Sequence, residues 1–200
     1  MAIQFHTVSG HGDKEKRNKN DLYDTPTAIT HAILKKEEFP GTVIEPCAGN
    51  GFMVNAVKQF GLPVRSNELY PTEKFSPDTN LNYVTDDLSS LFTGDDTYSV
   101  VGNPPYTLAK EFIEKTINSN VVKHAWLLRF QFVESKKRYE FFKIHPPRRV
   151  WIFSSRVNFD PVSPNGGLIC FSWWVWERGF KGDPELKWFA PEKFKGDNDE

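Results

Sequence analysis

Tyr98-Ser99-Val100-Val101-Gly102-Asn103-Pro104-Pro105-Tyr106 runs from a short apolar segment into a polar tetrapeptide, and residues 107–118 behind it read as a helix. Asn103 to Tyr106 therefore stand where a strand ends and a helix begins. In an open α/β sheet that is the edge at which ligands bind. The tetrapeptide suits a primary amine conjugated to a π-system. The Asn103 side-chain carbonyl and the main-chain carbonyl of Pro104 can each accept from the amine. Proline has no N–H, so Pro104 and Pro105 stiffen the loop without adding donors. Tyr106 supplies a ring face on which a flat heterocycle can stack. Two acceptors on one amine draw its lone pair out of conjugation and aim it at an electrophile. The competing reading is a Pro-rich turn with a capping Asn.

Working back along the chain, residues 42–45 form a short apolar strand ending in an acid, Glu45. Pro46-Cys47-Ala48-Gly49-Asn50-Gly51 follows, then a helix over 52–60. Small residues between a strand and a helix let a ligand approach the backbone closely. The loop lacks the three-glycine pattern of a pyrophosphate cradle, and Glu45 would repel a pyrophosphate. It suits a cation, such as the amino group or sulfonium of S-adenosylmethionine. The second strand spans 64–70 and carries Glu68, placed to accept from ribose hydroxyls. A third strand over 82–85 ends in Asp86-Asp87-Leu88, where a carboxylate could accept from an adenine amine and Leu88 could pack on the ring. Each acid alone could be an ordinary helix cap. Three acids at successive strand ends favour a shared ligand.

Ahead of the loop, Thr25 can cap a helix with Pro26 at its first position, the helix running to about residue 38. Tyr23 is either a core aromatic or a ring beside the cofactor. Residues 1–20 are polar, without apolar periodicity, and read as a mobile arm; 21–180 reads as one folded domain and 181–200 as a polar tail.

Beyond the tetrapeptide, strands are expected at 124–129, 150–153 and 168–177, with a helix over 134–142 between the first two. Arg148, Arg149 and Arg156 flank the 150–153 strand and are candidate phosphate contacts. Phe159, or an aromatic of the 171–176 run, is a candidate neighbour of a bound base.

Composition bounds the function classes. Two hundred residues are enough for one domain with a sizeable core. A net charge of −1 leaves any nucleic-acid surface to a local basic patch. Two cysteines in non-metal spacing give no disulfide framework and indicate a reducing compartment. No apolar run is long enough to span a bilayer. A core accounts for most of the 17 Phe and 6 Trp, with rings to spare for stacking on bases.

Taken together, Asn103-Pro104-Pro105-Tyr106 and the preceding Glu45 to Gly51 loop resemble the S-adenosylmethionine-dependent DNA adenine methyltransferases of the amino-methylating class. Tyr23-x-Thr25-Pro26, Glu68 and Asp86-Asp87-Leu88 extend the likeness over roughly residues 20–178. The resemblance implies a Rossmann-like α/β fold: a seven-stranded, mostly parallel sheet with one late antiparallel strand and helices on both faces. It implies methyl transfer to N6 of an adenine flipped out of DNA, with catalysis by Asn103, Pro104, Pro105 and Tyr106. The cofactor set it implies is Tyr23, Thr25, Pro26, Glu45 to Gly51, Glu68, Leu69, Asp86, Asp87, Leu88 and Asn103. Neither a metal nor a covalent enzyme intermediate is expected, and the compartment expected is the cytoplasm of a bacterium or phage-infected host. The chain leaves little room for a target-recognition region, as in phage-encoded members. The same tetrapeptide occurs in enzymes that methylate RNA adenines or a protein glutamine amide. A non-catalytic nucleic-acid-binding module with this fold is the alternative of another class.

Overall fold

The computed structural model describes residues 24–93, 97–159 and 169–190. The arm expected over 1–20, Tyr23, the 160–167 loop and the end of the tail lie outside the described residues. In chain order the elements are α1 (Thr27–Leu34), β1 (Thr42–Glu45), α2 (Phe52–Gln59), β2 (Val64–Ser66), β3 (Tyr98–Gly102), α3 (Ala109–Ile117) and β4 (Val121–Arg129). A 3-10 turn (Phe130–Val133), α4 (Lys136–Ile144), β5 (Arg149–Phe153), β6 (Phe171–Glu177) and β7 (Glu185–Phe189) complete it.

The seven strands make one sheet in the order β2-β1-β3-β4-β6-β5-β7. β6 is antiparallel to both its neighbours, β4 and β5, and the other pairs are parallel. This is the expected mixed sheet with a single antiparallel strand.

Alternation along the strands sorts apolar residues into two layers, because successive side chains point to opposite faces. Val43, Val101, Ala125, Leu127, Trp173 and Val175 pack with α1 and α2. Ile44, Val100, Trp126, Leu128, Trp174 and Trp176 pack with α3 and α4. The tryptophans of β6 are core on both faces. Their indole N–H groups donate inward: Trp173 to the Ile29 carbonyl, Trp174 to Ser172 Oγ, Trp176 to the His145 carbonyl.

Three expectations are corrected. Residues 82–85 form no strand. The Asn82 side-chain carbonyl accepts from Val84 N–H (3.2 Å) and Thr85 N–H (3.3 Å), while Asp86 accepts from Asn82 N–H (2.9 Å). That local cross-linking closes a turn, as Asn and Asp do when they compete with the ladder. The open edge of β2 is met instead by residues 78 and 79, whose N–H groups donate to the Ser66 carbonyl. β2 itself stops at Ser66, short of the 64–70 expected.

The second correction is β7. The tail expected over 181–200 contains a strand that pairs in parallel with β5. Phe189 is buried, stacked on Phe153 (4.7 Å between centroids) and Trp151 (5.3 Å).

The third is Arg148 and Arg149. They lie at the amino end of β5, away from the strand ends that carry Glu45 and Asn103, and both are held by acids. Glu37, which is buried, accepts from Arg149 Nε (2.5 Å) and Nη2 (2.8 Å), from Lys123 Nζ (2.7 Å) and from Trp151 Nε1 (2.7 Å). Arg149 also pairs with Glu177, and Arg148 with Glu185 at 2.9 Å.

Candidate active site

Parallel pairing of β1 with β2 and β3 brings the carboxyl ends of three strands side by side. Glu45 ends β1, Asn67 and Glu68 follow β2, and Asn103 follows β3. Between them lies a cavity of about 670 Å³. Thr25, Glu45, residues 46–50, Glu68, Leu69, Asn103 and Pro105 are all on its wall. Gly102 allows the loops after β1 and β3 to converge: a Cβ there would stand 2.8 Å from the Trp126 ring and 3.2 Å from Pro46. Gly51 adopts φ +81°, a conformation that favours glycine, and starts α2 beneath the Phe75 ring.

Glu68 braces the loop. Its Oε2 accepts from Gly49 N–H (2.8 Å) and its Oε1 from Tyr70 N–H (3.0 Å). Each carboxylate oxygen has a further lone pair for a ligand hydroxyl. Glu45 is buried: Oε1 accepts from Cys47 N–H (3.2 Å), and Oε2 has no hydrogen-bond partner. Burial pushes its carboxyl up to about 8, against the lowering effect of the Cys47 bonds. The Cys47 thiol lies 3.4 Å from Glu45 Oε1 and 3.3 Å from the Asn103 main-chain oxygen, so its one proton can serve either. Burial, reinforced by the charges of Glu45 and Glu68, pushes that thiol well above its ordinary value. These surroundings favour the neutral thiol.

Asn103 is held by Thr25. Its side-chain N–H donates to Thr25 Oγ at 3.1 Å, while its side-chain oxygen is buried with no partner. Thr25 was expected to cap α1; its hydroxyl orients the amide instead, and α1 has no side-chain cap. Buried polar atoms without partners are rare in folded proteins. Two of them here, Glu45 Oε2 and Asn103 Oδ1, belong to the same cavity wall.

The remaining expected residues fall in four places. Pro26, Gly51 and Pro104 adjoin wall residues without being on the wall. Asp86, Asp87 and Leu88 are off it: Asp86 closes the turn at Asn82, Asp87 accepts from Ser89 N–H (3.0 Å) and Oγ (2.9 Å), and Leu88 is core. Asn82 and Tyr83 line the cavity in their stead. Tyr106 is also off the wall. Its ring lies 5.8 Å from Phe171, which meets Phe159 edge-on at 4.9 Å, and the Arg129 guanidinium covers a face at 4.8 Å. Arg156 is exposed just beyond the carboxyl end of β5.

Sequence reasoning named Asn50 but missed the partners through which it straps the loops together, Asp24 and Thr72. Asn50 donates to Asp24 (2.8 Å) and accepts from Thr72 Oγ (2.8 Å), joining three segments at the cavity. It missed the apolar end as well, where Tyr83 stacks on Phe112 at 5.1 Å. No local pattern marks these positions, since each contact spans more than 20 residues.

No protein-family profile and no curated protein sequence matches the chain. Solved structures do resemble it. The M protein of type I restriction enzyme EcoKI aligns with TM-score 0.54 and 12% identity, over 80% of this chain and 44% of that one. The 23S rRNA methyltransferase ErmE aligns with TM-score 0.52 and 15% identity, over 80% and 71%. A dimethyladenosine transferase from Plasmodium falciparum aligns with TM-score 0.51 and 13% identity, over 78% and 62%. The chain spans less than half the length of the type I subunit. At these identities the likeness establishes the fold: this is a Rossmann-like methyltransferase fold, with its cavity at the carboxyl ends of β1, β2 and β3.

Proposed function

We propose that the protein transfers the methyl group of S-adenosylmethionine to the exocyclic N6 amine of adenine in DNA. The observation that carries this reading is the Asn103 side-chain oxygen, buried and unpartnered on the cavity wall, with its amide turned by Thr25. It is an acceptor awaiting a donor. A primary amine on a flat ring supplies one, and Tyr106, three residues on, offers the ring to stack on.

The residues present fit the cofactor. Glu68 would take the ribose hydroxyls, and Glu45, whose Oε2 lacks a partner, the cationic methionine end. Leu81, Leu108 and Phe112 give the apolar surface an adenine ring needs. This replaces the role expected of Asp86, Asp87 and Leu88. Bound there, S-adenosylmethionine supplies an electrophilic methyl group on sulfonium. The chain's own part is positional. The Asn103 side-chain and Pro104 main-chain carbonyls accept from the target amine, so its lone pair turns from the ring toward the methyl. Pre-alignment of this kind accounts for much of the acceleration in such reactions.

The rings of Phe171 and Phe159 beside Tyr106 support a base-bearing polymer over a protein glutamine as the target. Tritiated S-adenosylmethionine is incubated with unmethylated DNA, total RNA and a glutamine-bearing release-factor protein, and the products are hydrolysed. The expected product is N6-methyladenine in DNA. Label confined to RNA or to glutamine would sink the DNA assignment; no label in any of the three would leave a binding module.

A further inference from the structure

The geometry points to Arg129 as the residue that binds the phosphate of the nucleotide stacking on Tyr106. This rests on the proposed reading and names a substrate contact within it.

Arg129 ends β4, which runs parallel to β3, so its side chain emerges on the sheet edge that carries Asn103. Its guanidinium carbon lies 4.8 Å from the centre of the Tyr106 ring. A planar cation over an aromatic face occupies the place a base would take. Its Nε is buried and has no hydrogen-bond partner. Among the described residues no carboxylate pairs with it. The contrast with the other arginines is plain. Arg148 and Arg149 are held by Glu185, Glu177 and Glu37. Arg138 donates to the carbonyls of Gln131, Phe132 and Glu134, and Arg178 to those of Ser119 and Val121.

A desolvated guanidinium donor without an acceptor costs free energy that a bound anion would recover. The anion is not the cofactor's carboxylate, because neither Arg129 nor Tyr106 is on the cavity wall. A nucleotide instead brings a flat ring and an anion joined by one sugar. The ring takes the Tyr106 face, the guanidinium moves off it, and the Arg129 fork meets the phosphate. The phosphate contact expected of Arg148 and Arg149 thus falls to a residue at the other end of the sheet.

The test uses the full chain and its Arg129→Ala and Arg129→Lys variants. Steady-state methylation is measured on adenine-containing DNA duplexes and on oligoribonucleotides. DNA affinity is measured by fluorescence anisotropy across salt, and S-adenosylmethionine affinity by calorimetry. For Arg129→Ala the expected result is a KM for nucleic acid raised roughly tenfold or more. Its salt slope should fall by about one unit, with cofactor affinity unchanged. Arg129→Lys should keep the salt slope and recover part of the KM. If the parent methylates DNA or RNA and both variants keep its KM and salt slope, this inference alone is overturned. If the parent methylates only a glutamine peptide, or nothing, the functional reading falls and this inference with it. A variant that no longer binds S-adenosylmethionine has lost its fold, so Arg129 is structural and the inference is overturned.

Discussion

At the scale of single residues, the site depends on two acceptors with nothing to accept from. Asn103→Ala removes one, and the methyl-transfer rate should fall by about 10²-fold while calorimetric cofactor affinity holds within a few-fold. Thr25→Val tests the orienting bond alone. Loss of one hydrogen bond of about 1 kcal/mol predicts a roughly fivefold lower kcat, with KM little changed; an unaffected kcat would mean the amide is held by something else. Glu45 gives a pH signature. Its carboxyl is raised to about 8 by burial, from an ordinary 4.5, so the folded chain holds this proton more tightly than the unfolded chain. Linkage then makes the group cost stability progressively as pH rises from the unfolded value through the folded one. Glu45→Gln should melt higher than the parent at pH 8 and the two should converge toward pH 5, as read by thermal unfolding without cofactor.

At the scale of elements, two pieces of sheet edge are built from side chains rather than from strand propensity. Beside β2, Asp78 accepts from Ser66 N–H and Oγ, each at 2.7 Å, and so docks the connection that replaces a third strand. Burial raises this carboxyl, but the Ser66 bonds outweigh it and hold it below the ordinary range. At the other edge, β7 is anchored by Phe189. Phe189→Ala should cost about 3–5 kcal/mol, the usual range for emptying a buried aromatic position. Chemical denaturation reads this directly, and a loss under 1 kcal/mol would mean β7 contributes little to the sheet.

At the scale of the whole molecule, Glu37 ties α1's far end to β4 and β5 through four hydrogen bonds. Burial raises its carboxyl, and the bonds from Arg149, Lys123 and Trp151 outweigh that and hold it low. A depressed carboxyl contributes stability above its unfolded value and loses it as pH falls through the folded one. Acid destabilisation at this cluster should therefore set in as pH falls through the ordinary carboxylate range and be complete only below it. Removing one partner strands the others: Glu37→Ala should destabilise by about 3–5 kcal/mol. The Arg148→Ala, Arg149→Ala double variant should unfold more readily yet keep the parent's salt slope for DNA. A flattened slope in a folded double variant would return the nucleic acid to that end of the sheet. Among the described residues, no helix is long and apolar enough to cross a membrane.

What the sequence determined by itself is local. The acid-ended strand, the small-residue loop and the polar tetrapeptide between strand and helix are legible because each is contiguous and its chemistry is written in adjacent residues. Alternation required some tryptophans of β6 to be core for the same reason, and the fold buries all three. The sheet's membership was only partly legible. Residues 82–85 have strand-like composition, yet Asn82 and Asp86 satisfy the backbone locally, and a turn closed by side chains needs no neighbouring strand. Residues 185–189 look polar, yet β5 offers a partner and Phe153 a surface for Phe189. Charge was the least legible property. Arg148 and Arg149 resemble a phosphate site until the fold sets Glu185 against the first and Glu37, more than a hundred residues away, against the second. Arg129 looks like an ordinary strand end until Tyr106 comes beneath it. An ionic side chain's role depends on which acceptors fall within a few ångströms, and only tertiary structure decides that.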